Sequence, residues 1–349
     1  MSDTHSAGSD ANDVVTTAHG SGGEQMRDLI ASTVLERFDG AGGDVGLHDL
    51  DDGAVLPVGG DRAVVVTTDS HVVDPPVFPG GDVGHLAVAG TVNDLAVMGA
   101  TDPLALTFSV VVEEGTPVDF LDDVAASVRE TCSTAGCSVV TGDTKVMGSG
   151  ELDTIAVNTT GVAVVPRGGH VPDAGLSPGD RVVVSGTLGD HGIALLSARE
   201  GFDFEGDLES DVAPVNDLVA AAMDAGDVTA MKDPTRGGFA TAVNEMAGKA
   251  GVGVELDEQS IPVAGAVASA GEVLGIEPYD VANEGVVVLG VAPGDEDAVV
   301  DALRDHPLGA DAAVVGRATE DNAGRVVLDT GIGRRYLGEP NGEQLPRIC

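Results

Sequence analysis

Four aspartates stand where the chain leaves or enters an apolar run: Asp52 in DDGAVL, Asp69 in TTDSHVV, Asp94 in TVNDLAV and Asp143 in TGDTKV. In so acidic a sequence any one of them alone reads as a turn or cap residue. Their company argues for more. Asp69 and Asp143 follow β-branched runs directly, at the strand ends where ligand sites of α/β proteins gather. Asp94 interrupts an apolar helical stretch, where a carboxylate needs a partner or a cation. Carboxylates converging on one cleft repel one another unless a cation such as Mg2+ lies between them, and Mg2+ takes carboxylate and phosphate oxygens. Lys145, Lys232 and Lys249 are the only lysines. Lys145 follows Asp143 by two residues and Lys232 precedes Asp233, which suits compact ammonium donors to phosphate. Glycine-rich turns in HGSGG, FPGGDVG and TRGG, each before a helix, offer unpaired N–H groups to an anion. Glu284, between Asn283 and Gly285 ahead of an apolar strand, is either a base or an ordinary turn acid. His71 and His191, at the mouths of apolar elements, read equally well as structural or functional. Cys349 is the last residue, in EQLPRIC. It stands apart from Cys132 and Cys137, whose spacing is too wide for C-x-x-C and which read as buried free thiols.

The elements that must hold these residues alternate in type. From Ala63 a strand, a glycine-bounded helix, a strand, a helix and two strands follow in turn, ending near Pro166. The Pro- and Gly-rich stretch from Pro166 to Asp180 marks a boundary, and a second run of strands and helices follows it. The reading is a mixed α/β or α+β chain with a mobile acidic arm over residues 1–17 and two domains, 18–166 and 167–329. The Gly/Pro-spaced segment 330–349 reads as a flexible tail. From Tyr336 to Cys349 are fourteen residues, about 45–50 Å when fully extended.

Composition narrows the function. Fifty-eight acidic residues against 17 basic ones give a net charge of −41, yet 42% of residues are hydrophobic, which means a folded protein with an acidic surface. Self-repulsion on that scale suits a salt-rich cytoplasm that screens it. With no cluster of Lys and Arg, nucleic-acid binding is excluded, and a phosphorylated ligand must arrive with metal ions. The apolar runs are too short for a membrane span and the N-terminus has no signal-peptide pattern. There is no G-x-x-x-x-G-K-[ST] loop, no strand-linked G-x-G-x-x-G and no G-x-S-x-G elbow.

From about Ala18 to Cys349, the strings AHGSGGEQM, TTDSHVVDPPVFPGGDVGHLAVAGTVNDLAVMGA, VVVEEG, VTGDTKV, NTTGV, DHGIALLSARE, KDPTRGG, NEG and PRIC resemble the HypE family of hydrogenase maturation factors. That family sits within the ATP-binding superfamily of aminoimidazole ribonucleotide synthetase, selenophosphate synthetase and thiamine-monophosphate kinase. The resemblance implies the two-domain fold of that superfamily and a homodimer whose first domains pair their sheets. It implies ATP held by Gly20, Ser21, Gly22, Gly23, Asp69, Asp94, Asp143, Thr144 and Lys145, with Mg2+ on Asp52, Asp69, Asp94 and Asp143. It further implies that Cys349 receives a carbamoyl group from a HypF-like transferase. ATP-dependent dehydration, with Lys145 and Glu284 catalytic, would make an S-cyanate for the iron of a nickel–iron hydrogenase, delivered through a HypC–HypD-like complex. A small-molecule phosphotransferase of the same superfamily is the alternative. Ser21 stands where selenophosphate synthetases carry Cys or selenocysteine, which weakens that sibling reading.

Overall fold

The computed structural model describes residues 14–20, 23–38, 43–202, 208–340 and 348–349. The first unit comprises α1 (Gly23–Ile30), β1 (Ala54–Gly59), β2 (Arg62–His71), a small hairpin of β3 (Val77–Phe78) and β4 (Gly81–Asp82), α2 (Val83–Val97), β5 (Pro103–Glu113), α3 (Val118–Thr134), β6 (Val139–Met147) and β7 (Ile155–Pro166). Its sheet runs β1-β2-β7-β5-β6, antiparallel except for the β5–β6 pair that α3 connects. The second unit comprises β8 (Arg181–Val184), α4 (Asp190–Glu200), α5 (Asn216–Ala225), β9 (Val228–Lys232), α6 (Gly238–Ala250), β10 (Gly253–Asp257), α7 (Gly265–Leu274), β11 (Val288–Val291), α8 (Glu296–Asp305), β12 (Ala313–Thr319), β13 (Val326–Asp329) and β14 (Arg334–Leu337). Its sheet runs β14-β13-β10-β12-β8-β11-β9.

The period-two pattern of β2 buries Ala63, Val65, Thr67 and His71 and leaves Arg62 and Thr68 exposed, so one face of the first sheet takes helices and the other is open. α2 carries the covered face. It is apolar on nearly every side because it lies between that sheet and the second unit, where Ala96 and Val97 pack with Val215, Leu218 and Val219 near α5. Asp82 caps it, accepting from the N–H groups of Gly84 and His85. Close approach of helix to sheet requires Gly161 in β7, because a Cβ there would meet Thr91 Cγ2 at 2.7 Å and Leu95 Cδ1 at 2.9 Å.

Two expectations change. The segment from residue 330 is not tail throughout: β14 pairs antiparallel with β13 from Arg334 to Leu337, a strand too short for its alternation to register between glycines and prolines. The chain's last residues, Ile348 and Cys349, are buried rather than free. The arm over residues 1–17 lies outside the described residues up to residue 13; from Val14 to Thr17 it is exposed.

Asn93, on α2, joins the two units. Its amide donates to the carbonyls of Ala213 (3.1 Å) and Glu284 (2.9 Å), and its Oδ1 accepts from the N–H of Val215 at 2.8 Å. Replacing it by Leu strands three buried groups and should cost about 2–4 kcal/mol, seen as a lower urea midpoint; a loss under about 0.5 kcal/mol would show that this bridge is dispensable.

Candidate active site

The strand ends and α2 converge on a cavity of about 200 Å³ lined by Asp52, Thr67, Asp69, Asp94, Asp233, Arg236, Glu284 and Cys349, among others. Asp52 comes from the turn before β1, Asp69 from the end of β2 and Asp94 from the fourth turn of α2. Asp233 immediately follows β9. One carboxylate oxygen from each of Asp52, Asp94 and Asp233 lies within 4.8 Å of the other two. The Thr67 hydroxyl fixes this group, 2.7 Å from Asp94 Oδ2 and 2.9 Å from the Asp52 carbonyl. Burial first, then repulsion by Asp233, Asp69 and Asp52, holds the Asp94 carboxyl well above the usual carboxylate range. Burial and Asp52 push Asp233 up to about 7. Asp52 Oδ2 is buried without a hydrogen-bond partner. An all-oxygen, anionic donor set with a spare buried oxygen fits a hard divalent cation such as Mg2+.

Glu284 is mounted rigidly. Asp211 accepts from the N–H groups of Glu284 (3.1 Å) and Gly285 (3.0 Å) and from the Asn283 amide (2.9 Å), and Asn93 holds the Glu284 carbonyl. Its side chain is free of such ties: Glu284 Oε1 is buried without a partner. Burial, followed by Asp233, Asp211 and Asp69, holds its carboxyl well above the usual range, with Arg236 opposing. Such a carboxylate, once deprotonated, is a stronger proton acceptor than an exposed one. Cys349 shares this cavity, and burial pushes its thiol up to about 12 against the opposing pull of Arg236.

The sequence-predicted residues divide into two groups. Asp52, Asp69, Asp94, Glu284 and Cys349 come together. Asp69 lines the cavity outside the three-aspartate cluster, with His71 Nε2 3.6 Å from its Oδ2. Asp143, Thr144 and Lys145 do not join them within one subunit. β6 is the edge strand three positions from β2, about 14 Å away at sheet spacing. Asp143 sits in register beside Ser109, and Ser109 beside Asn158 and Ser70, on the sheet face turned away from α2. There, among the described residues, Lys145 pairs with Asp143 alone, at 2.5 Å and exposed. This corrects Asp143 as a ligand of the same cation within one chain. Ser21 and Gly22 lie outside the described residues. Gly20 is exposed, and Gly23 lines a second cavity of about 280 Å³ that shares Asp52, Asp233, Thr235 and Arg236 with the first.

Lys232 is also corrected. Its ammonium is turned to Asp52 (2.7 Å), Asp173 and Glu245 (3.5 Å each), so it neutralises carboxylates instead of awaiting phosphate. Lys249 likewise reaches Asp173, at 2.6 Å. Asp233, Thr67 and Arg236 were not foreseen. KDPTRGG carries two of them, but adjacency to Lys232 makes Asp233 look like an ion-pair partner. Cys132 is a buried free thiol as expected, and Cys137 is a free thiol but only half-buried. No helix of the described residues is long and apolar enough to cross a membrane.

Residues 50–165 match the N-terminal domain of AIR synthase related proteins and residues 177–329 match the C-terminal domain of that family. A putative hydrogenase expression/formation protein of Methanocaldococcus jannaschii is 45% identical over 338 residues, spanning 96% of this chain and 99% of that protein. Carbamoyl dehydratase HypE of Cupriavidus necator is 43% identical over 337 residues, spanning 96% of this chain and 95% of that one. Among solved structures, HypE in a HypE–HypF complex superposes with a TM-score of 0.83 at 38% identity, covering 89% of this chain and 99% of that chain. HypE in complex with ATP superposes with a TM-score of 0.79 at 38% identity, covering 94% and 98%.

The crowded carboxylates fix a pH dependence. Asp94, Asp233 and Glu284 bind protons more tightly folded than unfolded. Between an unfolded carboxylate value of about 4 and the value of about 7 for Asp233, the folded chain therefore holds more protons, and stability falls as pH rises through that window. In high salt and chelator the thermal midpoint should drop from about pH 5 to about pH 8, and added Mg2+ should restore more of it at the higher pH. Asp233→Asn should remove that Mg2+ effect; an equal effect in the variant would place the cation elsewhere.

Proposed function

The chain belongs to the HypE family of hydrogenase maturation proteins, and from that membership we propose that it is an ATP-dependent carbamoyl dehydratase acting on its own terminal cysteine. The product is an S-cyanate on Cys349 that supplies the cyanide ligands of a nickel–iron hydrogenase. The observation that carries this reading is the position of Cys349 in the acidic cavity, beside Glu284, Arg236 and the three-aspartate cluster.

Dehydration of an S-carboxamide removes its oxygen and two nitrogen protons and leaves a carbon–nitrogen triple bond. The carboxamide oxygen is a poor leaving group, and ATP bound with Mg2+ supplies the γ-phosphoryl that lets it depart as phosphate. Asp52, Asp94 and Asp233 would hold the cation. Glu284, its main chain pinned by Asp211 and Asn93, accepts one nitrogen proton at its unpartnered Oε1, and the other leaves on the departing phosphate. Arg236 lines the same cavity and its charge favours oxyanionic groups there.

Lys145, Asp143 and Thr144 enter through a second subunit. β6 is exposed along nearly its whole length, with Val140 and Val146 among its open side chains, beside exposed Leu104 on β5. An unpaired, partly apolar edge next to an open sheet face suits pairing with a second copy. In such a homodimer the Asp143–Lys145 face of one sheet completes the nucleotide site with Lys145 neutralising charge during phosphoryl transfer. The carbamoyl group comes from a HypF-like transferase, and the cyano group leaves through a HypC–HypD-like complex. A saline cytoplasm is the setting that the surface charge suits.

Intact mass spectrometry tests this directly. With carbamoyl phosphate, ATP and a HypF-like partner, the chain should gain a carbamoyl group on Cys349 and then lose water. Glu284→Gln and Lys145→Ala should accumulate the carbamoyl form with dehydration slowed at least about a hundredfold. Cys349→Ala should bind ATP yet gain nothing. An unmodified Cys349 in an otherwise active mixture would sink the reading.

A further inference from the structure

The last two residues are held by groups that none of the chemistry above uses. His191, on α4, is wholly buried. Its Nε2 lies 2.8 Å from the carbonyl oxygen of Ile348 and its Nδ1 lies 2.7 Å from Ser210 Oγ. A carbonyl oxygen can only accept, so Nε2 must carry the proton, and a neutral ring then leaves Nδ1 as an acceptor. Ser210 is set for that role: its Oγ accepts from the N–H of Val212 at 3.1 Å and gives its own proton to Nδ1. Burial lowers His191 to about 4, which keeps the ring neutral. Phe78 packs edge-on against it, ring centroids 5.4 Å apart at 89°.

One residue further on, the N–H of Val72, just past the end of β2, donates to the main-chain oxygen of Cys349 at 3.1 Å. The Ile348 side chain meanwhile packs in a cluster with Val73, Phe78, Leu86 and Leu195. α4 belongs to the second unit and β2 to the first, so the dipeptide is gripped from both sides of the cleft.

We propose that His191, oriented by Ser210, and the Val72 amide form a seat that reads the main chain of Ile348–Cys349, making His191 a positioning residue. The seat grips main-chain atoms on both sides of the cysteine's Cα. It thereby fixes where the sulfur, and whatever group it carries, lies relative to Glu284 and Arg236. The proposal rests on the reading that Cys349 carries the reacting group, but its first test does not.

In full-length protein without ATP or partners, alkylation of the cysteines by iodoacetamide reports the seat alone. His191→Ala should raise the labelling rate of Cys349 about tenfold or more, the consequence of losing one buried hydrogen bond with its partner left unpaired. His191→Gln, which keeps an N–H donor, should recover part of the protection. Ser210→Ala, which removes the hydroxyl that orients the ring, should raise the rate by a smaller factor. Cys132, buried away from the seat, should label as slowly as in the natural chain. Should His191→Ala unfold, Cys132 will label as well, and Ser210→Ala then decides alone. Unchanged Cys349 labelling in folded His191→Ala and in Ser210→Ala overturns the proposal. In the carbamoylation assay, His191→Ala should bind ATP normally and lose water more slowly at saturating ATP. If labelling rises while the natural chain performs no dehydration, the seat stands and the enzymatic reading falls.

Discussion

Lys232 sits almost wholly out of solvent, its ammonium 2.7 Å from Asp52 and 3.5 Å from both Asp173 and Glu245. That one charge ties together the turn before β1, the linker between the two units and α6. A buried cation is tolerable there because three carboxyl groups lie close around it. It also leaves Asp52 with one committed oxygen and one spare, which orients the spare oxygen beside Asp94 and Asp233. The cluster therefore depends on an ion pair outside it. Among the described residues that line the cavity around Cys349, Arg236 is the positive charge, set against the carboxyls of Asp52, Asp69, Asp94, Asp233 and Glu284.

The two faces of the first sheet have separate tasks. The covered face, through Thr67, Asp69 and α2, builds the acidic cavity. The open face presents Ser70, Asn158, Ser109 and Asp143 in one row across β2, β7, β5 and β6. Asn158 spans the first of these gaps, donating to the Asp69 carbonyl at 2.7 Å and lying 3.0 Å from Ser70 Oγ. Asp69 and Ser70 are successive residues whose side chains point to opposite faces. A single strand end thus serves both surfaces.

Much of this was legible before any coordinates. A carboxylate inside an apolar helix marked Asp94, and the strand-end position marked Asp69, because neither environment tolerates an idle charge. Helices with strong punctuation were equally plain: α6 runs from Gly238 to Ala250, between the glycines that bound it in the sequence. What escaped was short, or depended on partners distant in sequence. β1 contains Pro57, α7 has no polar cap and β14 has four residues, so local pattern was weak in each. Asp143 and Lys145 carried a chemical signal without saying which face of the sheet they occupy, since spatial order β7-β5-β6 follows from long-range pairing. His191 was undecidable because its meaning comes from Ile348, 157 positions later.

The carbonyl that His191 holds lies 157 positions further along the chain. Ribosomal synthesis runs in one direction, so every residue of the first sheet, of α2 and of α4 is made before Ile348 and Cys349. Building the pocket and filling it are thereby separated in time, and the dipeptide docks onto surfaces whose residues precede it.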